Sequence, residues 1–263
     1  MKFIKAILSA IVAVTLAFAV NLRVAHAGEL VKVPTRTDIK TTVFWQATQG
    51  ATATLFVFPG GGGGFGKIED GWPSSNNFLV RTTKLWVAEG FNVAIFGRPN
   101  DSDELGYEDR ISDIHMQDVK AVLGWVKSKS AVPIWIIGTS RGTISTASTL
   151  INIQDSQIAG GVVTSSVVSY KKAGALPKQY LKMIKTPVLV YHHEKDACEL
   201  CKPYEVSGVL NGLKNSPIKK LMMVSGGANP TGSPCEGNHW HGFIGMEPQA
   251  VAEISAWIKK PVD

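Results

Sequence analysis

Short hydrophobic runs rich in β-branched and aromatic residues alternate along the chain with longer segments of helical period. Each run is followed by glycine or a turn, and this alternation is typical of a parallel α/β sheet. The predicted strands cover residues 42–45, 54–58, 93–96, 134–137, 161–164, 187–191 and 221–224. The predicted helices cover residues 77–88, 114–127, 141–153, 203–213 and 247–258.

The first 27 residues have the pattern of a secretory signal peptide. Two lysines open the segment, residues 6–20 are almost uninterruptedly apolar, and Ala25 and Ala27 form a small-x-small cleavage pattern. The apolar run is shorter than the roughly 20 residues that span a bilayer, which favours cleavage over a membrane anchor. We therefore expect an exported bacterial protein, periplasmic or secreted, whose mature chain begins near Gly28 and has no membrane span.

Residues 28–263 contain no internal repeat and no Pro/Ser-rich linker, which predicts one domain. Three basic residues, Lys2, Lys5 and Arg23, leave with the signal peptide, so the formal net charge of +6 becomes +3. A charge this small and scattered does not indicate a nucleic-acid partner. These features leave the oligomeric state open.

A serine lies at a sharp turn between a predicted strand and a predicted helix. Gly138, Ser140 and Gly142 form the pattern G-x-S-x-G directly after the strand at 134–137. Glycines on both sides let the strand and the helix approach a serine whose hydroxyl projects above the sheet. The alternative is a tight turn that contains serine by chance. The strand before the motif and the helix after it favour a nucleophile. The N–H of Arg141, at the start of the helix, is free to donate to an oxyanion.

The acid and the base of such a site are expected later in the chain, in the order serine, acid, histidine. Glu194 and Asp196 follow the strand at 187–191, and we predict Asp196 because it lies farther past the strand and is short and stiff. His239 and His241 precede the last helix. We predict His241 as the base, because a glycine follows it and permits a sharp turn, and His239 is the rival.

The histidines and cysteines of these two loops have the chemistry of zinc ligands. The sequence has no H-E-x-x-H helix and no paired C-x-x-C modules, and a metal leaves the serine turn unexplained, so we predict no metal. His192 and His193 directly follow a strand and either line the pocket or only solvate the loop.

Three cysteines, Cys198, Cys201 and Cys235, lie in the two loops that carry the predicted acid and base. Oxidation is expected in an exported chain, and an odd number leaves one thiol over. A bond from Cys198 or Cys201 to Cys235 joins the two loops. A local bond between Cys198 and Cys201 is the alternative, since spacing does not decide.

Five consecutive glycines at 60–64 follow Pro59 and the strand at 54–58. The run meets most of the P-loop pattern, but Ile68 supplies no hydroxyl for Mg²⁺, and five glycines satisfy almost any glycine pattern. Because a nucleophile is predicted downstream, we assign the loop N–H groups to an oxyanion. A nucleotide-dependent enzyme is the alternative that rests on this loop alone.

Residues 55–258 resemble the α/β-hydrolase family, and more closely a little-characterised group of exported bacterial members. The resemblance rests on FPGGGGG after a strand, GTSRG at the serine turn, HHEKD after a later strand and HGF before the last helix. It implies the α/β-hydrolase fold, with a mostly parallel central sheet and helices on both faces. It also implies a triad of Ser140, Asp196 and His241. The oxyanion hole would come from the N–H groups of Arg141 and of the glycine loop, Gly61 first, with Gly60 and Gly62 as alternatives.

The sequence departs from that family in its glycine loop and in the length of one connection. Pro59 replaces the usual histidine, and Arg141 stands where a small or aromatic residue is usual. Only about twenty residues, roughly 165–186, separate the predicted strands at 161–164 and 187–191, where many members have a helical lid, so we expect little or no lid. The resemblance implies a cofactor-free serine hydrolase of carboxylesterase type, acting on a small or soluble ester-type substrate. A dienelactone-hydrolase-like enzyme, an acyl-peptide-cleaving enzyme and a non-catalytic binding protein are the alternatives.

Overall fold

The computed structural model describes residues 28–263, so the predicted signal peptide lies outside the described residues. Among the described residues, no helix combines the length and the apolar character that crossing a membrane requires.

An eight-stranded, mostly parallel sheet forms the centre of the fold, with strand order β1-β2-β6-β3-β7-β8-β9-β10. β2 pairs antiparallel with β1 and β6, and the remaining neighbours are parallel. β4 and β5 form a separate hairpin. The strands are β1 (Glu29–Arg36), β2 (Ile39–Gln46), β3 (Ala53–Phe58), β4 (Ile68–Glu69), β5 (Trp72–Pro73), β6 (Phe91–Pro99), β7 (Ile134–Thr139), β8 (Ile158–Thr164), β9 (Val188–His193) and β10 (Lys219–Val224).

Helices cover both faces of this sheet, as predicted. They are α1 (Phe78–Arg81), α2 (Thr83–Ala88), α3 (Asp113–Lys129), α4 (Gly142–Asn152), α5 (Ser207–Gly212) and α6 (Glu247–Lys259). One apolar core lies between the sheet and α3, α4 and α5. A second core lies between the opposite face and α1, α2 and α6. Because β3, β7 and β9 are buried throughout, their sequences are continuous hydrophobic runs and not alternating ones.

All seven predicted strands are confirmed, in β2, β3, β6, β7, β8, β9 and β10, whereas β1 and the short strands β4 and β5 were not predicted. β1 lies at the sheet edge, Val33 is its only buried residue, and Pro34 interrupts its pattern, so its hydrophobic signal is weak.

Two predicted helices differ from the structure. The segment predicted as one helix at 77–88 is divided into α1 and α2 at Thr82, whose hydroxyl donates to the Phe78 carbonyl at 2.6 Å. Such side-chain bonds to the preceding turn compete with a regular helix. The segment predicted at 203–213 begins with a 3₁₀ turn, Pro203–Glu205, and becomes α-helical only at Ser207.

Parallel strands bring four loops together at the carboxyl edge of the sheet, where ligands bind in open α/β folds. Gly60 follows β3, Ser140 follows β7, Ser165 follows β8 and Asp196 follows β9. The glycine loop, the predicted nucleophile and the predicted acid therefore follow strands that end at the same edge of the sheet.

Candidate active site

Ser140 occupies a tight turn between β7 and α4, with its backbone in the left-handed region at φ 53°. A Cβ at Gly142 would overlap the carbonyl oxygen of Phe58, and one at Gly138 would overlap the Thr146 hydroxyl. Neither position has room for a side chain, which explains both glycines of the motif. A left-handed non-glycine residue carries strain of about 1–3 kcal/mol, and the turn is retained because its surroundings hold it.

Backbone hydrogen bonds fix the turn on both sides of the serine. The Ser140 N–H donates to the Thr164 carbonyl at 3.0 Å, and the Ser140 carbonyl accepts from the Thr143 N–H at 3.0 Å and from the Thr143 hydroxyl at 2.7 Å. Ser140 lines the cavity, and its hydroxyl is a hydrogen-bond neighbour of the buried Cys201 thiol.

Asp196 and His241 form a buried hydrogen-bonded pair. His241 Nδ1 lies 2.9 Å from Asp196 Oδ2, and the other carboxylate oxygen accepts from the Cys198 N–H at 2.9 Å. The His241 carbonyl accepts from the Ser165 hydroxyl at 2.7 Å, which ties the histidine to the end of β8. The second ring nitrogen, Nε2, is buried and has no hydrogen-bond partner among residues 28–263.

Ser140 and His241 line one cavity of about 350 Å³. No hydrogen bond joins the Ser140 hydroxyl to His241 Nε2 within the described chain. Catalytic hydrogen bonds are often long in a ligand-free site and tighten when substrate binds, so this gap is compatible with a nucleophile and its base.

The alternative acid and base are placed less favourably than Asp196 and His241. Glu194 is exposed. His239 packs edge-on against Trp240, with ring centroids 5.1 Å apart, and no hydrogen bond links it to Asp196 in the described part of the chain.

The expectation that His192 and His193 line the pocket or solvate the loop is wrong, because both are buried in β9 and neither lines the cavity that contains Ser140. His192 Nε2 lies 2.9 Å from the Cys201 carbonyl and 3.5 Å from Asp196 Oδ2. Burial lowers the pKa of His192 to about 4. His192 is therefore neutral at neutral pH, and it donates to the carbonyl without forming an ion pair with Asp196. His193 Nε2 bonds the Gly226 carbonyl at 3.1 Å.

The glycine loop after β3 lies directly over the serine. A Cβ at Gly60 would come within 2.9 Å of the Ser140 Cβ and 3.0 Å of Asn77 Nδ2, so only glycine permits this approach. The N–H groups of Gly61 and Arg141 donate no hydrogen bond to any other group in residues 28–263. After the loop comes the β4–β5 hairpin and not the helix that a P-loop or dinucleotide motif requires.

Arg110 holds the glycine loop by hydrogen bonds to its carbonyl groups. This residue was not predicted from the sequence. Its Nη2 donates to the carbonyls of Pro59 and Gly61, both at 3.2 Å, and its Nη1 donates to the Ser145 hydroxyl at 3.0 Å. The side chain is fully buried and makes no ion pair with any carboxylate of the described chain. Burial, followed by the charge of Arg141, lowers the pKa of Arg110 to about 9, so the guanidinium stays charged at neutral pH. The polar segment around Arg110 contains no sequence motif that indicates contact with the glycine loop.

His115 completes this buried network. Its Nε2 lies 2.9 Å from the Ser145 hydroxyl. Burial, followed by the charge of Arg110, lowers the pKa of His115 to about 3, so the imidazole is neutral. The Arg110 cation, which has no counter-ion in the described chain, is thus satisfied by three carbonyls, those of Leu105, Pro59 and Gly61, and by a hydroxyl that bonds a neutral imidazole.

The cavity has a predominantly polar lining and no helical cover. Beside the glycine loop, its wall includes Ser75, Asn76, Asn77, Glu236 and Asn238. The connection between β8 and β9 contains two 3₁₀ turns, Leu176–Lys178 and Leu181–Met183, and no α-helix. The predicted absence of a helical lid at this connection is confirmed.

A disulfide between Cys198 and Cys235 joins the loop of Asp196 to the loop of His241, with Cα atoms 4.5 Å apart. The predicted bond between the loops is confirmed, with Cys198 as the partner, and the local alternative does not form. Cys201 is a free, buried thiol. Burial and the nearby charge of Asp196 raise its pKa well above the usual range, and the neighbouring Ser140 hydroxyl partly opposes that rise.

The chain matches no protein-family model and no curated protein by sequence. Among solved structures it resembles an esterase of Pyrococcus furiosus, with 18% identity, TM-score 0.64, and 89% of this chain and 92% of that chain covered. An α/β serine hydrolase without lid from Xanthomonas campestris has 14% identity and TM-score 0.53, over 86% of this chain and 94% of that chain. The acylaminoacyl peptidase of Pyrococcus horikoshii has 13% identity and TM-score 0.63, over 90% of this chain but 42% of that one. At such low identity the likeness shows the architecture alone: the chain has the α/β-hydrolase fold.

Proposed function

We propose that the protein is a serine hydrolase that cleaves an ester or a related acyl bond through an acyl-enzyme on Ser140. The observation that carries the proposal is the convergence of a left-handed serine and a carboxylate-bound histidine on one cavity. The buried, unpartnered Nε2 of His241 is where a general base should present its acceptor.

In the proposed mechanism, His241 Nε2 takes the proton of the Ser140 hydroxyl while Oγ attacks the carbonyl carbon of the substrate. Asp196 holds the imidazole in the tautomer with the proton on Nδ1 and stabilises the charge that develops. The imidazolium then gives its proton to the leaving group. Water, activated by the same nitrogen, releases the acyl group from Ser140 and restores the enzyme.

The oxyanion is assigned to the free N–H groups of Arg141 and Gly61. Arg110 acts through the loop, because its bonds to the Pro59 and Gly61 carbonyls orient the peptide groups between them. Its buried positive charge contacts the glycine loop, and low dielectric there would strengthen its attraction for a developing negative charge.

The size and lining of the cavity support a small, polar substrate. About 350 Å³ is at the lower end of ligand pockets, and the walls offer amide and hydroxyl groups in place of an apolar tunnel. We also propose that the protein is exported. The disulfide between Cys198 and Cys235 supports this, because such bonds persist in oxidising compartments.

The test is covalent labelling with a fluorophosphonate probe, followed by rates on p-nitrophenyl esters of increasing acyl length, amides and a lactone. The folded protein should be labelled at Ser140, and acetyl or similarly short esters should react fastest. The matched control is Ser166→Ala, which removes a buried hydroxyl that has no hydrogen-bond partner in the described chain. Absence of labelling in folded protein would favour a non-catalytic binding protein on this scaffold.

A further inference from the structure

Two sulfur atoms and an imidazole lie together beside the proposed nucleophile. Cys198 Sγ, Cys201 Sγ and a ring nitrogen of His241 are all within 4.8 Å of one another, and all three residues are buried. The hydrolytic mechanism uses only the imidazole of this group. The free Cys201 thiol therefore has no part in the chemistry proposed above.

The spacing of these atoms is close to that of a tetrahedral metal site. Zn–S and Zn–N bonds of about 2.3 and 2.0–2.1 Å place the ligand atoms about 3.5–3.8 Å apart. A contraction of about 1.3 Å or less would bring the present atoms to that spacing. Cys198 and Cys201 have the C-x-x-C spacing of zinc ligands, and the Cys201 N–H donates to the Cys198 carbonyl at 2.9 Å.

His241 has two features in common with metal-ligating histidines. Its Nδ1 bonds Asp196 at 2.9 Å, which is the carboxylate–histidine arrangement that fixes the ring orientation and the tautomer. Nε2 is buried without a partner in the described chain, and the residue is only 4% exposed. This unsatisfied acceptor is an observation independent of the cysteines.

In the disulfide-bonded structure, Cys198 Sγ cannot bind a metal as a thiolate. Cys198 is bonded to Cys235, which lies on an exposed loop, whereas Cys198 and Cys201 are at most 1% exposed. A dithiol supplies two electrons and two protons, breaks this bond and becomes a disulfide itself. Cys235 is then free to move into solvent, while Cys198 stays in the cluster.

We propose that reduction of the Cys198–Cys235 disulfide opens a site for Zn²⁺ or a similar thiophilic divalent cation at Cys198, Cys201 and His241. Binding displaces one proton from each thiol, and water or the neighbouring Ser140 hydroxyl supplies the fourth ligand. An occupied site engages His241 Nε2 and so removes the proposed base. In its oxidised form, the disulfide protects the histidine from such metals.

Two variants with equal numbers of thiols test this proposal. Cys235→Ser leaves Cys198 and Cys201 free in the cluster, whereas Cys198→Ser leaves Cys201 in the cluster and Cys235 outside it. Each is titrated anaerobically with Co²⁺ in the presence of a phosphine reductant, and then with competing Zn²⁺. Cys235→Ser should show intense thiolate-to-cobalt charge transfer and tetrahedral d–d bands, with at least tenfold tighter binding than Cys198→Ser. Zn²⁺ should abolish these bands.

Equal spectra and affinities in the two variants, or no thiolate bands in Cys235→Ser, would overturn the proposal. Reduced wild type provides a second measurement and should bind Co²⁺ as Cys235→Ser does. If the reduced protein loses its circular dichroism or shows no bands, the proposal is also overturned. Oxidised wild type should give no bands in either case.

The link to catalysis is a separate measurement. Zn²⁺ should block fluorophosphonate labelling of Cys235→Ser, and a chelator should restore it. Labelling that continues with the metal bound would disprove the assignment of His241 Nε2. Because the cobalt spectra do not depend on hydrolysis, failure of the proposed enzymatic function would leave them unaffected.

Discussion

The serine turn and the histidine loop, residues 225–242, contribute to the same cavity but are held in different ways. The serine turn lies between a fully buried strand and a buried helix, and backbone hydrogen bonds fix both of its sides. The histidine loop is mostly exposed, has no regular structure before its final 3₁₀ turn, and is joined to the Asp196 loop by the disulfide. One half of the site is therefore fixed by the core, and the other by a few specific bonds.

The largest expected effect is on the rate of hydrolysis at the serine turn, and it should occur without a comparable change in the free energy of unfolding. Ser140→Ala should reduce ester hydrolysis by about 10⁴-fold or more and abolish fluorophosphonate labelling, since no step can replace the acyl-enzyme. The free energy of unfolding should change little, because the hydrogen-bond neighbour of the hydroxyl is the Cys201 thiol, and thiols are weak hydrogen-bond partners. Steady-state kinetics and urea unfolding measure the two effects, and a residual rate near wild type would contradict the role of Ser140.

The histidine loop should depend on the disulfide for its order. Loss of a cross-link that spans 37 residues costs about 4 kcal/mol in the chain-entropy account. Cys235→Ser should lower the free energy of unfolding by up to this amount, and amide hydrogen exchange should accelerate mainly in residues 225–242. Exchange that rises equally in the serine turn would show that the two regions are not held separately.

Arg110 should affect catalysis through the glycine loop. Arg110→Met removes both carbonyl contacts and the buried charge, and kcat should fall by about 10²-fold, the size expected when one oxyanion donor is misplaced. KM should change less, since the oxyanion-hole donors bind the neutral carbonyl of the substrate more weakly than the oxyanion of the transition state. Arg98→Met is the control, because Arg98 lies against Gly64 but is exposed. Equal losses in the two variants would assign the effect to general damage to the loop.

The free energy of unfolding should decrease as the pH is lowered, because buried histidines are neutral in the folded protein. The pKa of His192 is about 4 in the folded protein, against about 6.5 when unfolded. Between these values the unfolded chain takes up a proton that the folded protein does not, so stability is full above pH 6.5 and decreases below it. At pH 5 the loss from His192 is about 2 kcal/mol. Urea unfolding of His192→Gln should show a correspondingly smaller decrease, and an unchanged pH profile would argue against this pKa.

The smallest effect concerns backbone strain at the serine turn. Glycine adopts the left-handed region without a steric penalty, whereas alanine does not. Ser140→Gly should therefore be about 1 kcal/mol more stable than Ser140→Ala, although both are inactive. Equal stabilities would show that the turn imposes no measurable strain.

The two regions also differ in what could be predicted from sequence. The serine turn was predictable because a buried strand, two glycines and a helix leave little freedom between residues 134 and 153. Asp196 and His241 were predicted from chain order and loop position, and the structure places them in one hydrogen-bonded pair. Their catalytic roles remain predictions that labelling and kinetics must test.

What sequence could not predict depends on contacts between distant segments. Arg110 meets Pro59 and Gly61 across 51 and 49 residues, and neither its spacing nor its neighbours indicate that contact. The burial of His192 and His193 follows from their position in an interior strand, β9, which extends two residues past its predicted end. The choice of Cys198 over Cys201 depends on which thiol faces the histidine loop in the folded chain.

The arrangement of the three cysteines also has a consequence for how the chain is oxidised after synthesis. Cys198 and Cys201 are three positions apart, whereas the bonded pair is separated by 37. In an unfolded chain the shorter loop closes more readily, by about 2 kcal/mol of loop entropy. The bond seen in the structure therefore requires β9 and β10 to pair first, or a disulfide isomerase to correct an early mistake. Yield during oxidative refolding should depend more on isomerase than on the supply of oxidant.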